Sequence, residues 1–266
     1  MPENLMGSLN GLLNVNIELT SRCNANCWMC GRRKIERDYP NLVNWGDMPY
    51  EMVESLSHQL PENIVIQFHD NGEPLLYGKL SEALSLFSTN IRCMDTNGRL
   101  LLDRQREIVD NLETITISTF TGDTESDDQF QIIKGFLKIK GDKKPNVIIR
   151  CLGNDPTPYK SMGCLIATRT IHSPMGSFDY EKQRIVPEIG ICLDALSHLV
   201  IKRTGDVSMC VRFDPEGIGV IGNVSRQNLE DIWNGDERQR RLKLHIEGKR
   251  KEIPLCSKCD YWGVPG

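Results

Sequence analysis

The sequence has no long apolar run, no excess of basic charge and no internal repeat, and each absence removes a class of protein. No stretch of about 18 uncharged apolar residues occurs in it, so a membrane-spanning helix is not expected. Met1 to Asn14 lack the basic start and long apolar centre of a secretory signal, which points to a cytoplasmic protein with no membrane partner. The formal net charge of -4, from 32 Lys and Arg against 36 Asp and Glu, provides no positive field for phosphates, and no nucleic acid partner is expected. Low-complexity segments and long linkers are also missing. What is there, 39% hydrophobic and 26% charged over 266 residues, suits one large domain or a domain with an appendage.

Cysteine is what the sequence has in plenty, with ten. A reducing compartment does not favour a disulfide framework, so metal, redox chemistry or burial must account for them. Seven fall into two groups. Cys23-Asn24-Ala25-Asn26-Cys27-Trp28-Met29-Cys30 carries three thiols within eight residues, while Cys192, Cys210, Cys256 and Cys259 lie toward the C-terminus, the last two in C-x2-C spacing. Cys93, Cys151 and Cys164 are left over and read as buried apolar residues.

Short apolar runs alternate with amphipathic stretches along most of the chain. Strands are expected at Leu13–Leu19, Asn63–His69, Ile91–Thr96, Thr114–Thr119, Asn146–Leu152 and Leu165–Ile171. Helices are expected between them at Pro49–Leu60, Lys79–Ser88, Asp103–Asn111 and Asp127–Ile139. Alternating strands and helices imply an α/β fold with a parallel sheet, here an open or partial (β/α)6 barrel with its chemistry at the C-terminal ends of the strands. The pattern changes near Pro187. Beyond it, Leu199–Ile201 and Val207–Val211 flank the turn Arg203-Thr204-Gly205-Asp206 as a hairpin. A helix from Asn228 to Trp233 and another to about Ile246 follow. Two domains are expected, a barrel over 1–187 and a small cysteine-bearing one over 188–266.

Three thiolates on a loop after the first strand can hold one metal centre. A closed structural zinc site needs a fourth ligand, whereas a [4Fe-4S] cluster on three cysteines keeps one iron open. The spacing C-x3-C-x2-C in this place resembles the signature of the radical S-adenosylmethionine superfamily. That resemblance implies S-adenosylmethionine chelated at the open iron, and a 5′-deoxyadenosyl radical that abstracts a substrate hydrogen. It also implies a flavodoxin or ferredoxin as reductant. Asn71-Gly72-Glu73-Pro74 is similar to the family's Gly-Gly-Glu-Pro motif, with asparagine for the first glycine, and sets Glu73 on the cosubstrate ammonium. By the same resemblance Met29 meets the adenine through its backbone and Trp28 shields the cluster. Asn97 in Thr96-Asn97-Gly98 and Ser118 line the cosubstrate pocket, and Arg150 meets the cosubstrate carboxylate.

By spacing alone the four C-terminal cysteines suit tetrahedral zinc and a saturated [4Fe-4S] cluster equally. Together with Ile221-Gly222-Asn223-Val224 and Leu229-Glu230-Asp231-Ile232-Trp233 they resemble the SPASM or twitch domain, whose shorter twitch form holds one auxiliary cluster. The spacing of all seven cysteines resembles the 2-deoxy-scyllo-inosamine dehydrogenases. That likeness implies oxidation of a carbinol on a sugar or aminocyclitol, with the auxiliary cluster as electron acceptor. Arg169 is then expected to bind substrate oxygens, and His172, with its near-neutral imidazole, to accept the hydroxyl proton. Met175 to Glu188 depart from that family and are expected to shape the substrate pocket. A peptide epimerase or crosslinking enzyme is the second reading, and an epimerase would need a thiol such as Cys93, Cys151 or Cys164. A non-catalytic electron-transfer or zinc protein is the third, and would have no need of Glu73.

Overall fold

The computed structural model describes residues 9–169, 191–211, 214–257 and 259. Six of the apolar runs form strands: β1 Asn14–Ile17, β2 Val65–Phe68, β3 Ile91–Thr96, β4 Thr114–Phe120, β5 Asn146–Leu152 and β6 Leu165–Arg169. All six are parallel neighbours in chain order. Parallel pairing requires a crossover after each strand, and most of the crossovers carry helices: α1 Gly31–Asp38, α2 Tyr50–Gln59, α3 Leu80–Leu86, α4 Gln105–Ile108 and α5 Ser126–Lys140. In α5, Asp127 and Asp128 open the helix and Lys138 and Lys140 close it, each complementing the helix dipole. Gly141, at φ 54, ends it. Only one turn of the helix expected over 103–111 forms: Val109 leaves it in extended backbone, and Asp110 follows at φ 64. Helix α1 was not expected at all, since Gly-Arg-Arg-Lys-Ile-Glu-Arg-Asp has a single apolar residue to mark a buried face.

Strands β1 to β6 keep their fully buried apolar side chains on one face, where Val15, Ile17, Ile66, Phe68, Met94, Ile115, Ile117 and Ile149 are register neighbours. The other face carries Asn16, Gln67, Asp95, Thr116, Ser118 and Arg150, so the inside of the barrel is polar.

The C-terminal segment does not make a sheet of its own. After α6 Leu193–Ser197, β7 His198–Ile201 pairs parallel with the free side of β1, and β8 Asp206–Ser208 and β9 Val220–Asn223 follow antiparallel. One nine-stranded sheet results, in the order β6-β5-β4-β3-β2-β1-β7-β8-β9. The hairpin expected from the Arg203-Thr204-Gly205-Asp206 turn is therefore present, continued into the barrel sheet. Helix α7 Leu229–Trp233 sends Leu229, Ile232 and Trp233 into the same core as β1 and β2. Trp233 Nε1 donates to the Asn10 carbonyl at 3.1 Å, and the Leu229 N–H to the Gln59 side chain at 2.7 Å. Helices α8 Asp236–Ile246 and α9 Pro254–Ser257 complete the chain's described part. The boundary expected at 187/188 lies outside the described residues. Among those described, no helix is long and apolar enough to cross a membrane.

Candidate active site and cluster-binding cysteines

A cavity of about 640 Å³ opens at the C-terminal ends of the central strands, and Cys23, Cys27, Cys30, Met29 and Glu73 stand in its wall. The cysteine loop is braced from below by the turn after β2. Gly72 has φ +78, and a Cβ there would overlap the Thr20 carbonyl oxygen and come within 2.7 Å of the Arg22 carbonyl oxygen. Only glycine lets the turn pass so close under the loop. One residue on, the Glu73 N–H donates to the Arg22 carbonyl at 2.7 Å. The loop is also tied to β3, since the Asn97 amide donates to Asn24 Oδ1 at 2.8 Å and reaches Cys23 Sγ at 3.9 Å. The Ala25 N–H donates to the same sulfur at 3.4 Å.

Burial, and then the neighbouring Cys30 and Cys23, push the Cys27 thiol up to about 11. Burial pushes Cys30 up as well. Half-buried thiols crowded in one loop suit a cationic iron centre, which would hold them as thiolates. Among the described residues no three His, Cys, Asp or Glu side chains form a group for a single metal ion. A cluster does not ask for one, because each thiolate holds a different iron.

Glu73 is 1% exposed. Its Oε1 accepts from the Leu75 N–H at 3.0 Å and the Thr96 hydroxyl at 2.8 Å, and its Oε2 from the Asn97 N–H at 2.7 Å. A carboxylate has about four acceptor positions, so one is left for a donor in the cavity. Burial raises Glu73 to about 7 against the pull of those donors. An ammonium donor there, as the sequence resemblance implies, would favour the ionised form, so S-adenosylmethionine is then expected to bind well on the alkaline side of that value and to lose affinity on the acid side. Its dissociation constant, titrated anaerobically from about pH 8 to about pH 6, is expected to rise about tenfold. In Glu73→Gln that dependence is lost and binding is weak throughout.

Arg150 also lines the cavity, but its guanidinium is already engaged, with Asp95 Oδ2 at 2.5 Å and Ser118 Oγ at 2.8 Å. Burial would raise Asp95, yet His69 and Arg150 hold it below the ordinary carboxylate value. Arg150 and Ser118 thus meet each other across β4 and β5 as well as facing the cavity. Trp28 stands 52% exposed with its Nε1 donating to the Thr121 carbonyl at 3.3 Å. It does not line the cavity wall that the three cysteines share. Arg169 is exposed at the end of β6 and is not among the cavity residues. His172 and the tract 175–188 lie outside the described residues.

Three cavity residues were not expected from the sequence. Glu18 after β1, Asp70 after β2 and Lys202 after β7 form a buried cluster in which Lys202 pairs with Asp70. Glu18 Oε2 accepts the Arg203 N–H at 3.0 Å and Oε1 the Asn71 amide at 3.2 Å. Two carboxylates share one ammonium. Burial and the Asp70 charge raise Glu18 accordingly. Burial pulls Lys202 down, but Asp70 and Glu18 outweigh it and the ammonium is held above its usual value.

The four C-terminal cysteines come together around a second, smaller cavity of about 40 Å³. Cys192 precedes α6, Cys210 follows β8, and Cys256 and Cys259 lie on and after α9. Burial, then Cys259 and Cys192, push Cys256 up to about 11, so here too the thiol suits a cationic partner. Cys210 lines both cavities.

Residues 192–260 match the family model of an iron-sulfur cluster-binding domain, SPASM. The S-adenosyl-L-methionine-dependent 2-deoxy-scyllo-inosamine dehydrogenase of Niallia circulans is 24% identical over 257 residues, which is 92% of each chain. The fold is similar to that of BtrN in complex with AdoMet and 2-DOIA, with 22% identity, 95% of each chain covered and a TM-score of 0.67. It is also similar to that of Streptococcus suis SuiB bound to S-adenosylmethionine, with 14% identity, 94% of this chain and 72% of that one covered, and a TM-score of 0.62. The structural likenesses bear out the α/β fold, and the family match over residues 192–260 agrees with an iron–sulfur rather than a zinc reading of the C-terminal segment.

Proposed function

We infer that this chain is a radical S-adenosylmethionine oxidoreductase that oxidises a carbinol of a sugar or aminocyclitol to the ketone, a reading supported by the iron–sulfur domain match and by the likeness to a dehydrogenase of that kind. The observation that carries this reading is the position of Cys210 in the wall of both cavities. An electron left on a substrate in the larger cavity then has an acceptor at its edge. Bound at their cysteines, the two [4Fe-4S] clusters and S-adenosylmethionine supply hydrogen-atom abstraction and one-electron acceptance.

The chain's own residues supply binding, orientation and proton transfer. Glu73 offers its remaining acceptor position to the cosubstrate ammonium, and Asn97 fixes the cysteine loop against β3. Glu18, Asp70 and Lys202 carry one negative charge in excess on the cavity wall, and a carboxylate there is a fit acceptor for the hydroxyl proton. Arg169, at the exposed end of β6, and His172, three residues further along the chain, are the candidates for contacts to substrate oxygens.

A cyclitol is favoured over a peptide by two observations. The match with BtrN spans 95% of both chains, whereas SuiB, also described bound to precursor peptide SuiA, extends well beyond the part that matches. Among the described residues, none of the three thiols outside the two cysteine groups, Cys93, Cys151 and Cys164, lines the large cavity, where one would have to stand to return a hydrogen in an epimerisation. The test uses anaerobically reconstituted protein with S-adenosylmethionine, dithionite or a flavodoxin or ferredoxin, and 2-deoxy-scyllo-inosamine as probe. Equal amounts of 5′-deoxyadenosine and ketone are expected. Formation of 5′-deoxyadenosine with the probe unchanged would overturn the choice of substrate, and absence of 5′-deoxyadenosine would overturn the radical chemistry.

A further inference from the structure

Helix α8 turns one face inward, with Arg238, Arg241, Leu242 and His245 buried at the spacing of a single helical stripe. His245, at the end of that stripe, is 2% exposed and stands in the wall of the small cavity that all four C-terminal cysteines share. Its Nε2 lies 3.6 Å from Cys256 Sγ. Its Nδ1 is buried with no hydrogen-bond partner among the described residues. An imidazole held so deep without a partner on one nitrogen is destabilising unless something uses it, and among the described residues its one side-chain polar contact is with the Cys256 sulfur.

We propose that His245 donates its Nε2 proton to the Cys256 sulfur and thereby makes the C-terminal cluster a better electron acceptor. This rests on the reading of that cluster as the acceptor in the reaction. The direction of the hydrogen bond follows from the chemistry of the partner. A cysteine that holds iron has lost its proton and can only accept, so the proton of a neutral imidazole must sit on Nε2. An N–H directed at a cluster sulfur stabilises negative charge there, and reduction adds negative charge, so the reduced state gains more than the oxidised one. The guanidinium groups of Arg241 and Arg250 in the same wall act in the same sense. His245 is not needed as a ligand, because four thiols already satisfy four irons. It is a positioning residue, acting through Cys256.

The experiment compares full-length, anaerobically reconstituted wild type with His245→Leu, which removes the donor, and His245→Gln, whose amide can keep one. Iron content is measured first. The midpoint potential of the cluster whose paramagnetic signal does not respond to S-adenosylmethionine is then titrated. His245→Leu is expected to keep its iron and show a more negative midpoint, with His245→Gln in between. Ketone formed per 5′-deoxyadenosine should fall in the same order. An unmoved midpoint in fully loaded His245→Leu overturns the proposal, as does loss of iron in both variants, which would make His245 a ligand or packing residue. Failure of the underlying reading looks different, because the wild type itself would then show no second cluster signal.

Discussion

Cys27→Ala is expected to abolish 5′-deoxyadenosine formation and to halve the iron of the reconstituted protein, from about eight atoms to about four, with the fold intact. The size of the effect follows from the number of ligands. Three thiolates leave one iron open for the cosubstrate, and two do not hold the cluster in place. The fold survives because Cys27 belongs to a cavity loop and to neither hydrophobic cluster of the core. The loop's backbone is braced independently of its sulfurs, by Gly72 beneath it and by the Glu73 N–H on the Arg22 carbonyl. Iron analysis, circular dichroism and product chromatography on one preparation check all three parts. Cys259→Ala is expected to lose the same amount of iron but to keep the cluster whose signal responds to S-adenosylmethionine.

The second large effect is on stability. Lys202→Met leaves the Glu18 and Asp70 carboxylates in a buried wall with no cation, and removal of one partner from such a pair costs about 3–5 kcal/mol. A urea midpoint far below that of the wild type is the expected result. The deficit must also depend on pH. Glu18 is raised in the folded protein, so it binds its proton more readily there than in the unfolded chain. Its contribution is therefore fully present below the ordinary carboxylate value and is lost as the pH rises through its raised folded value. The Lys202→Met deficit should be largest on the alkaline side and shrink toward acid, and Glu18→Gln in the same chain should recover part of it. A deficit that did not change with pH would show that Lys202 contributes only packing.

Strands β3 and β5 could be placed to the residue from the sequence, because each is a compact apolar run bounded by polar or turn residues. Helix α4 could not, since its sequence is helix-compatible throughout and only the extended backbone at Val109 shows where it stops. The cysteine loop and Glu73 were legible because chemistry fixes their spacing within one short stretch. The parallel pairing of β7 with β1, Asn14 opposite His198, has no local sign in either segment. The same holds for the Glu18, Asp70 and Lys202 cluster, whose members come from three strand ends far apart in the chain. The sequence reading looked for a proton acceptor near Arg169 and His172, whereas Glu18 and Asp70 in the described cavity wall follow β1 and β2, several strands away from β6. His245 gave no signal either, for a histidine in the last turn of a basic helix reads as a solvated cap.

The account stands on two clusters of unlike coordination, one open and one closed, on adjoining cavities. Paramagnetic resonance of the reduced, anaerobically reconstituted protein, recorded with and without S-adenosylmethionine, tests that most directly. Two cluster signals are predicted, of which one changes on addition of the cosubstrate and the other does not. A protein that shows a single signal, or two signals that both ignore S-adenosylmethionine, contradicts it.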